Sequence, residues 1–346
     1  MKACVLHAVG DLRVETVETP RPGPGRVLLR VAACGVCGSD IPRVFEKGTY
    51  RFPLIPGHEF AGVVEELGEG VNPAWLGKTA AVFPLIPCRN CPMCLIGAYA
   101  QCADYDYLGS RSDGAFAGHV TVPEWNLVPV PEGLSPLEAA MCEPAAVAAH
   151  ALRRAAPDPG GAVMIFGAGP IGLMLAQWAA AWGAARVLLA DIDPEKLRFA
   201  REQGFTGTCN PLEADPAEWA RTLTGGGADV VIEGSGSGAA FAQAVKCARP
   251  FGSVVLMGNP AGAMTLPQQA YSTVLRNELR LLGTWNSVYA APPRDEWRMA
   301  LDAMASGRLR ALPLISHRVP LEGLPEALEM MRDRRGFFNK VMLVNE

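Results

Sequence analysis

Gly167-Ala168-Gly169-Pro170-Ile171-Gly172 narrows the fold of this chain more than any other segment. The pattern G-x-G-x-x-G is weak alone, but an apolar run, Val163 to Phe166, precedes it, and an Ala-rich stretch, Ile171 to Trp182, follows it and stops at Gly183. Strand, tight turn and helix are therefore expected in succession. The next apolar run, Arg186 to Ala190, leads to Asp191, nineteen residues beyond Gly172. In such a unit the first glycine turns the chain, the second lets the backbone approach a pyrophosphate, and the third lets helix pack on strand. The free N–H groups at the helix start then face the phosphates. Asp191 can accept hydrogen bonds from ribose hydroxyls and its charge opposes a 2′-phosphate, so NAD is expected over NADP. Lys196 is a further candidate for a ribose contact.

The chain has 346 residues, more than the roughly 250 to 300 at which a single core stops growing, so two domains are expected. Residues 1–150 are rich in Gly, Pro and short β-branched runs, such as Val27 to Ala32, Phe60 to Leu67 and His119 to Val122, which reads as a mostly β domain. After Pro157-Asp158-Pro159-Gly160-Gly161 the texture becomes apolar strands alternating with helical stretches, the rhythm of a parallel sheet. Asp193 can cap a helix that begins at Pro194 and ends at Gly204. Asp229 to Glu233, Ser253 to Gly258 and Leu279 to Thr284 supply further strands. Helices are expected at Asp295 to Ala305 and Leu324 to Arg332, and a last strand at Lys340 to Val344.

A net charge of -4 and a pI near 5.8 give no general attraction to a phosphate backbone, so no nucleic-acid partner is expected. No apolar run is long enough to cross a bilayer, and Met1 to Gly10 has no apolar leader segment, so the chain is expected in the cytoplasm, away from membranes. Of ten cysteines, Cys88, Cys91, Cys94 and Cys102 crowd together, and that clustering points to metal, not disulfides. Cys4, Cys34, Cys142, Cys209 and Cys247 sit among apolar neighbours and read as small buried hydrophobes.

Four soft thiolates can close a tetrahedron around zinc and staple a loop too poor in apolar residues to hold itself. An iron–sulfur cluster is the competing reading, but its usual spacings differ from the full set of four and a dinucleotide-binding companion favours zinc. A second set is spread over three segments: Cys37 in Cys37-Gly38-Ser39-Asp40, His58 in Gly57-His58-Glu59, and Glu143 before Pro144. Three protein ligands leave a fourth position for water or substrate, which is the arithmetic of a catalytic zinc.

In this order, and across essentially the whole chain, the triplet, the four-cysteine lobe and the dinucleotide segment resemble the zinc-dependent medium-chain alcohol and polyol dehydrogenases. The resemblance implies an α/β chain: a GroES-like, mostly β catalytic domain at 1–150 with a zinc lobe at about 85–110, a doubly wound Rossmann domain at 151–289, and a return of 290–346 to the first domain. It also implies two zincs per chain, one catalytic and one structural, with NAD as coenzyme, and a homodimer or homotetramer. Some members place the Glu of G-H-E on the metal and others the Glu before Pro; Glu143 is favoured here, with Glu59 behind it or exchanging with it. Ser39 then corresponds to a hydroxyl in a proton relay, although a turn-forming serine would look the same.

Three segments, Cys37 to Phe45, Tyr105 to Phe116 and Leu275 to Asn286, resemble the branch of that family formed by galactitol-1-phosphate 5-dehydrogenases. This implies oxidation of a secondary hydroxyl of a phosphorylated hexitol to a ketose phosphate. Arg43, Lys47 and Arg111 lie in or beside these segments and are the candidates for holding the phosphate. Sorbitol dehydrogenases usually carry an Arg near the position of Asn286, and its absence argues against a plain sorbitol enzyme. The competing readings are another polyol or secondary-alcohol dehydrogenase of the sorbitol, xylitol or threonine type, and a non-catalytic zinc-binding relative. The latter generally lack one or more of the ligands present here.

Overall fold

Strand Arg26–Gly35 is the hub of the first of two units in the computed structural model, which describes residues 1–289 and 295–345. That unit comprises Met1–Glu143, Val288–Gly307 and Ala311–Glu346; the second comprises Pro144–Ser287 with Arg308–Arg310. The division falls between Glu143 and Pro144, inside helix Cys142–Ala155. Cys142 stays with the first unit because its thiol lies 3.4 Å from the Trp297 carbonyl oxygen. The expected junction at residue 290 falls on 290–294, outside the described residues.

In the first unit a seven-stranded sheet runs Ile315–Val319, Lys340–Val344, Arg26–Gly35, Glu59–Leu67, Thr79–Val82 and Leu127–Pro129, with His119–Pro123 also pairing with Arg26–Gly35. Every pairing is antiparallel except that of the two C-terminal strands. Alternate residues Val27, Leu29 and Val31 enter a core with Phe60, Val64, Phe116, Val120 and Val122, as the twofold period of a half-buried strand requires. The hairpin Lys2–Ala8 with Asp11–Thr16 was not expected from the sequence.

The second unit is a six-stranded parallel sheet in the order Thr208–Cys209, Arg186–Ala190, Ala162–Phe166, Ala228–Glu233, Ala248–Leu256 and Arg280–Gly283. Counted along the chain this order is 3-2-1-4-5-6, that of a doubly wound dinucleotide fold. The central strand Ala162–Phe166 is buried at every position, which is why it reads as an unbroken apolar run. The α/β class expected from the sequence is the class observed. Asp193 does cap helix Pro194–Glu202, its carboxylate accepting from the Glu195 amide at 2.9 Å. Asp295 precedes helix Glu296–Ala305 as its cap instead of belonging to it. Helices Pro216–Thr224, Gly238–Cys247 and Gln268–Arg276 were not expected from the sequence.

Candidate active site

Cys37 follows the end of strand Arg26–Gly35, and His58 immediately precedes strand Glu59–Leu67, which pairs with it. The register sets Gly35 opposite Glu59. A side chain at 35 would displace the Glu59 carboxylate, because its Cβ would lie 2.3 Å from Glu59 Oε2. Gly57 has a φ of 96°, and a Cβ there would meet the Phe116 backbone nitrogen at 2.8 Å, so only glycine lets the chain turn into His58. These constraints bring one ligand atom each of Cys37, His58 and Glu59 within 4.8 Å of one another.

The carboxylate in that cluster is Glu59, whereas the sequence reading favoured Glu143. Glu143 lies in the first turn of helix Cys142–Ala155 and is buried, but it stands outside the cluster. Burial, with the charge of Glu59 next, pushes its carboxyl up to about 7, so it shares the field of the cluster. Helix placement, not chain spacing, decides which glutamate reaches the thiol and imidazole.

Asp40 is the residue whose part the sequence understated. It is fully buried, accepts from the Cys37 amide at 2.9 Å and from Arg43 Nη1, and its Oδ1 lies 3.5 Å from His58 Nδ1. At that separation His58 Nδ1 is buried without a hydrogen bond among the described residues, and the Asp40 carboxylate acts on the imidazole through its charge, as carboxylates beside metal-bound histidines do. Burial opposes the charging of His58, but Asp40 and Cys37 outweigh it and hold its pKa well above the ordinary value. A thiolate, an imidazole backed by a carboxylate and a second carboxylate form a donor set that fits a zinc ion. Arg43, one of the phosphate candidates, is paired through Nη1 with buried Asp40, which offsets its charge. Ser39 precedes the short helix Asp40–Pro42 without capping it through its side chain, so its hydroxyl is not consumed locally.

The four-cysteine lobe is assembled around the short helix Pro92–Leu95, with Cys91 at its start. The Sγ separations are 3.9 Å for Cys88–Cys94, 3.9 Å for Cys91–Cys102 and 3.4 Å for Cys88–Cys102. Tetrahedral zinc with bonds of about 2.3 Å needs sulfurs about 3.8 Å apart, so this cradle fits the ion. Backbone hydrogen bonds from Ala103 and Cys94 push the Cys91 thiol down to about 6, favouring the ligating thiolate. The described cysteines are all free thiols.

In the second unit Gly167 turns the chain at φ 104° between strand Ala162–Phe166 and helix Pro170–Ala181. A Cβ on Gly172 would lie 1.9 Å from the Gly167 carbonyl oxygen, while one on Gly169 would meet nothing within 4 Å. The open face at Gly169 is where a diphosphate can approach the free N–H groups of Ile171 and Gly172, Pro170 having none to donate, and this geometry fits a dinucleotide. Asp191 accepts from the Ala168 amide at 2.8 Å and from the Asp193 amide at 3.0 Å, so it also braces the glycine turn. Lys196 lies half-buried on helix Pro194–Glu202.

Tyr107 links the metal ligands to the remaining candidates. Its ring stands edge-on to His58 with centroids 5.8 Å apart, and its carbonyl oxygen accepts from the Arg111 amide at 2.9 Å. The Arg111 guanidinium lies 4.0 Å from the Tyr50 ring and 4.5 Å from that of Tyr105. Lys47 is exposed at the end of the π-helical turn Arg43–Lys47. A separate groove of about 390 Å³, lined in part by Met1, Arg26, Arg51 and His119, includes none of the cluster residues. Lys340, from the C-terminal strand, was also missed: its Nζ is bonded to Glu59, and a lysine heading an apolar strand gives no hint of its partner.

Residues 23–132 match the family model described as alcohol dehydrogenase GroES-like domain, and residues 170–306 that described as zinc-binding dehydrogenase. Together with the fold and the clustered donors, this defines a zinc-dependent oxidoreductase: the chain belongs to the zinc-binding medium-chain dehydrogenases. It is 34% identical over 346 residues to galactitol 1-phosphate 5-dehydrogenase of Escherichia coli strain K12, covering 99% of this chain and 100% of that one. The crystal structure of the E. coli galactitol-1-phosphate dehydrogenase matches it with a TM-score of 0.93 over 100% of both chains. Sorbitol dehydrogenase of Bacillus subtilis strain 168 is 32% identical, covering 99% of this chain and 97% of that one. A proposed zinc-binding dehydrogenase from Sinorhizobium meliloti 1021, solved with NADP bound, is 32% identical with a TM-score of 0.91 over 99% of both chains. No helix among the described residues is long and apolar enough to cross a membrane.

Proposed function

We propose that this chain oxidises a secondary hydroxyl of a polyol phosphate to a ketose phosphate with transfer of hydride to NAD, galactitol 1-phosphate to tagatose 6-phosphate being the best-supported reaction. The observation that carries the reading is the likeness, along the full length of both chains, to galactitol 1-phosphate 5-dehydrogenase, with Cys37, His58 and Glu59 gathered in one cluster. Cys37, His58 and Glu59 hold the catalytic zinc, Glu143 supplies the second carboxylate beside it, and Cys88, Cys91, Cys94 and Cys102 hold the structural zinc. A zinc ion bound by the cluster supplies a Lewis acid that makes the substrate hydroxyl more acidic.

Asp40 holds its charge beside His58, and Lys340 balances and orients Glu59. The uncapped hydroxyl of Ser39 takes the proton released by the substrate and passes it on toward solvent. NAD, bound along Gly167, Gly169, Pro170, Ile171 and Gly172 with Asp191 toward the adenosine ribose, supplies the hydride acceptor. The carboxylate of Asp191 favours NAD, against the NADP bound by the S. meliloti relative.

Sorbitol- or xylitol-type oxidation is the second reading, favoured by the likeness to B. subtilis sorbitol dehydrogenase. Initial rates with galactitol 1-phosphate, galactitol, sorbitol and xylitol, each with NAD and NADP, separate the two. Turnover of sorbitol exceeding that of galactitol 1-phosphate would reverse the choice.

We also propose a homodimer. The sheet of the second unit ends on strand Arg280–Gly283, where Leu281 is exposed, followed by exposed Trp285, and helix Gln268–Arg276 also exposes Tyr271 and Leu275. The free thiols accord with a reducing, cytoplasmic setting.

A further inference from the structure

The geometry points to Arg111, clamped between Tyr50 and Tyr105, as the residue that selects the phosphorylated substrate, an inference that rests on the polyol-phosphate reading above. Among the three cations expected to serve this role, Arg43 is bound to Asp40 and Lys47 is exposed on a turn. Arg111 differs from both. Two tyrosine rings lie 4.0 and 4.5 Å from its guanidinium carbon, and its Nε is buried without a hydrogen-bond acceptor among the described residues. Nearby charge is used up elsewhere: Arg51 takes Asp113 at 2.9 Å and donates to the Arg111 carbonyl oxygen at 3.1 Å. That bond ties the loop carrying Tyr50 to the loop carrying Arg111.

A planar cation held between aromatic faces keeps its orientation and loses little freedom on binding, and its fork of N–H groups matches a phosphate monoester. The same loop reaches the metal ligands, because the Arg111 amide is bonded to the Tyr107 carbonyl and the Tyr107 ring edges His58. Arg111 therefore stands on the loop that borders the cluster, the side from which a cation would meet the far end of an extended substrate. The ring pair also disfavours substitution by lysine, whose compact ammonium neither stacks as a plane nor binds two oxygens at once.

The test compares wild type, Arg111→Ala and Arg111→Lys with galactitol 1-phosphate and with galactitol, and measures inorganic phosphate as a competitive inhibitor of wild type and Arg111→Lys. A charge-assisted phosphate contact predicts that KM for galactitol 1-phosphate rises at least tenfold in Arg111→Ala, by more than kcat falls. The ratio of kcat/KM between the phosphorylated and free polyol should drop at least tenfold, with Arg111→Lys between the two. Phosphate should inhibit wild type more strongly than Arg111→Lys, a readout that holds if the alanine variant fails to fold. If wild type prefers galactitol 1-phosphate but both variants keep that preference, the inference is overturned while the proposed reaction stands. If wild type shows no preference for the phosphorylated polyol, the polyol-phosphate reading itself falls and takes this assignment with it.

Discussion

Lys340 Nζ lies 2.5 Å from Glu59 Oε2, and the two side chains are 3% and 1% exposed. The pair joins the C-terminal strand to the strand that follows His58, across 281 positions of sequence. Burial opposes the charge on Lys340, but Glu59 outweighs it and the ammonium is held above its ordinary pKa. A second hydrogen bond, to the Val36 carbonyl oxygen at 3.1 Å, fixes the ammonium just before Cys37. One lysine thus touches the backbone beside one candidate ligand and the side chain of another.

Lys340→Met leaves the Glu59 carboxylate buried without its partner, a change that costs about 3–5 kcal/mol in comparable pairs. In EDTA-treated protein the urea midpoint followed by tryptophan fluorescence should fall accordingly. Added zinc should shrink the loss, because a cation at Cys37, His58 and Glu59 takes over the neutralisation. An equal loss with and without zinc would show that Glu59 does not face the metal.

Cys94→Ser should cut the zinc content by one ion per chain, measured by elemental analysis after gel filtration. Cys94 is buried on the short helix Pro92–Leu95, and the exposed Leu95 and Ile96 that follow cannot hold the lobe by packing. The variant should therefore also be cut faster by protease between residues 88 and 102. Retention of two zincs would remove the four-cysteine site.

The dinucleotide loop was legible because its geometry depends on the absence of side chains: Gly172 has no room for a Cβ and Gly167 needs a positive φ. Such requirements write themselves into local sequence. Strand Ala162–Phe166 was legible for a related reason, since burial on both faces leaves no polar position. The choice between Glu59 and Glu143 was not, because both are glutamates near short motifs and only tertiary placement separates them. The roles of Asp40, Lys340 and Tyr107 depend on side chains meeting across loops or across the sheet. Arg43 and Arg111 looked equivalent as sequence, and their partners, a buried carboxylate for one and two tyrosine rings for the other, divide them.

Asp191→Ala should lower kcat/KM with NAD at least tenfold and narrow the preference for NAD over NADP. Two effects add: loss of the acceptor for the ribose, and loss of the brace that Asp191 provides to the Ala168 amide. Asp191→Asn keeps an acceptor for that amide and removes the charge, so it isolates the repulsion of a 2′-phosphate from the loss of the brace. If Asp191→Asn leaves the NAD to NADP ratio unchanged, repulsion of a 2′-phosphate is not the basis of selection.

Asp229 ties the central strand of the second unit to its neighbours, and its contribution should depend on pH. Its carboxylate accepts from the Ala162 amide at 2.7 Å and from Arg249 Nε at 2.6 Å. Burial alone would raise its pKa, but the amide and the guanidinium outweigh burial and hold the carboxyl below its ordinary value. A group whose folded pKa is depressed stabilises the fold above its unfolded pKa, about 3.9 for aspartate, and loses that contribution as pH falls through the folded value. Asp229→Asn should therefore lower stability by about 1.5 kcal/mol at pH 7, the scale of a hydrogen bond to a charged group. The gap between variant and wild type should persist to pH 5 and begin to shrink below about pH 4, where the unfolded chain takes up its proton while the folded carboxyl still holds its charge. Urea midpoints of both proteins at pH 7, 5 and 3.5 read the effect. A gap of constant size across that range would mean that shape, and not the carboxylate charge, is what Asp229 supplies to the strand.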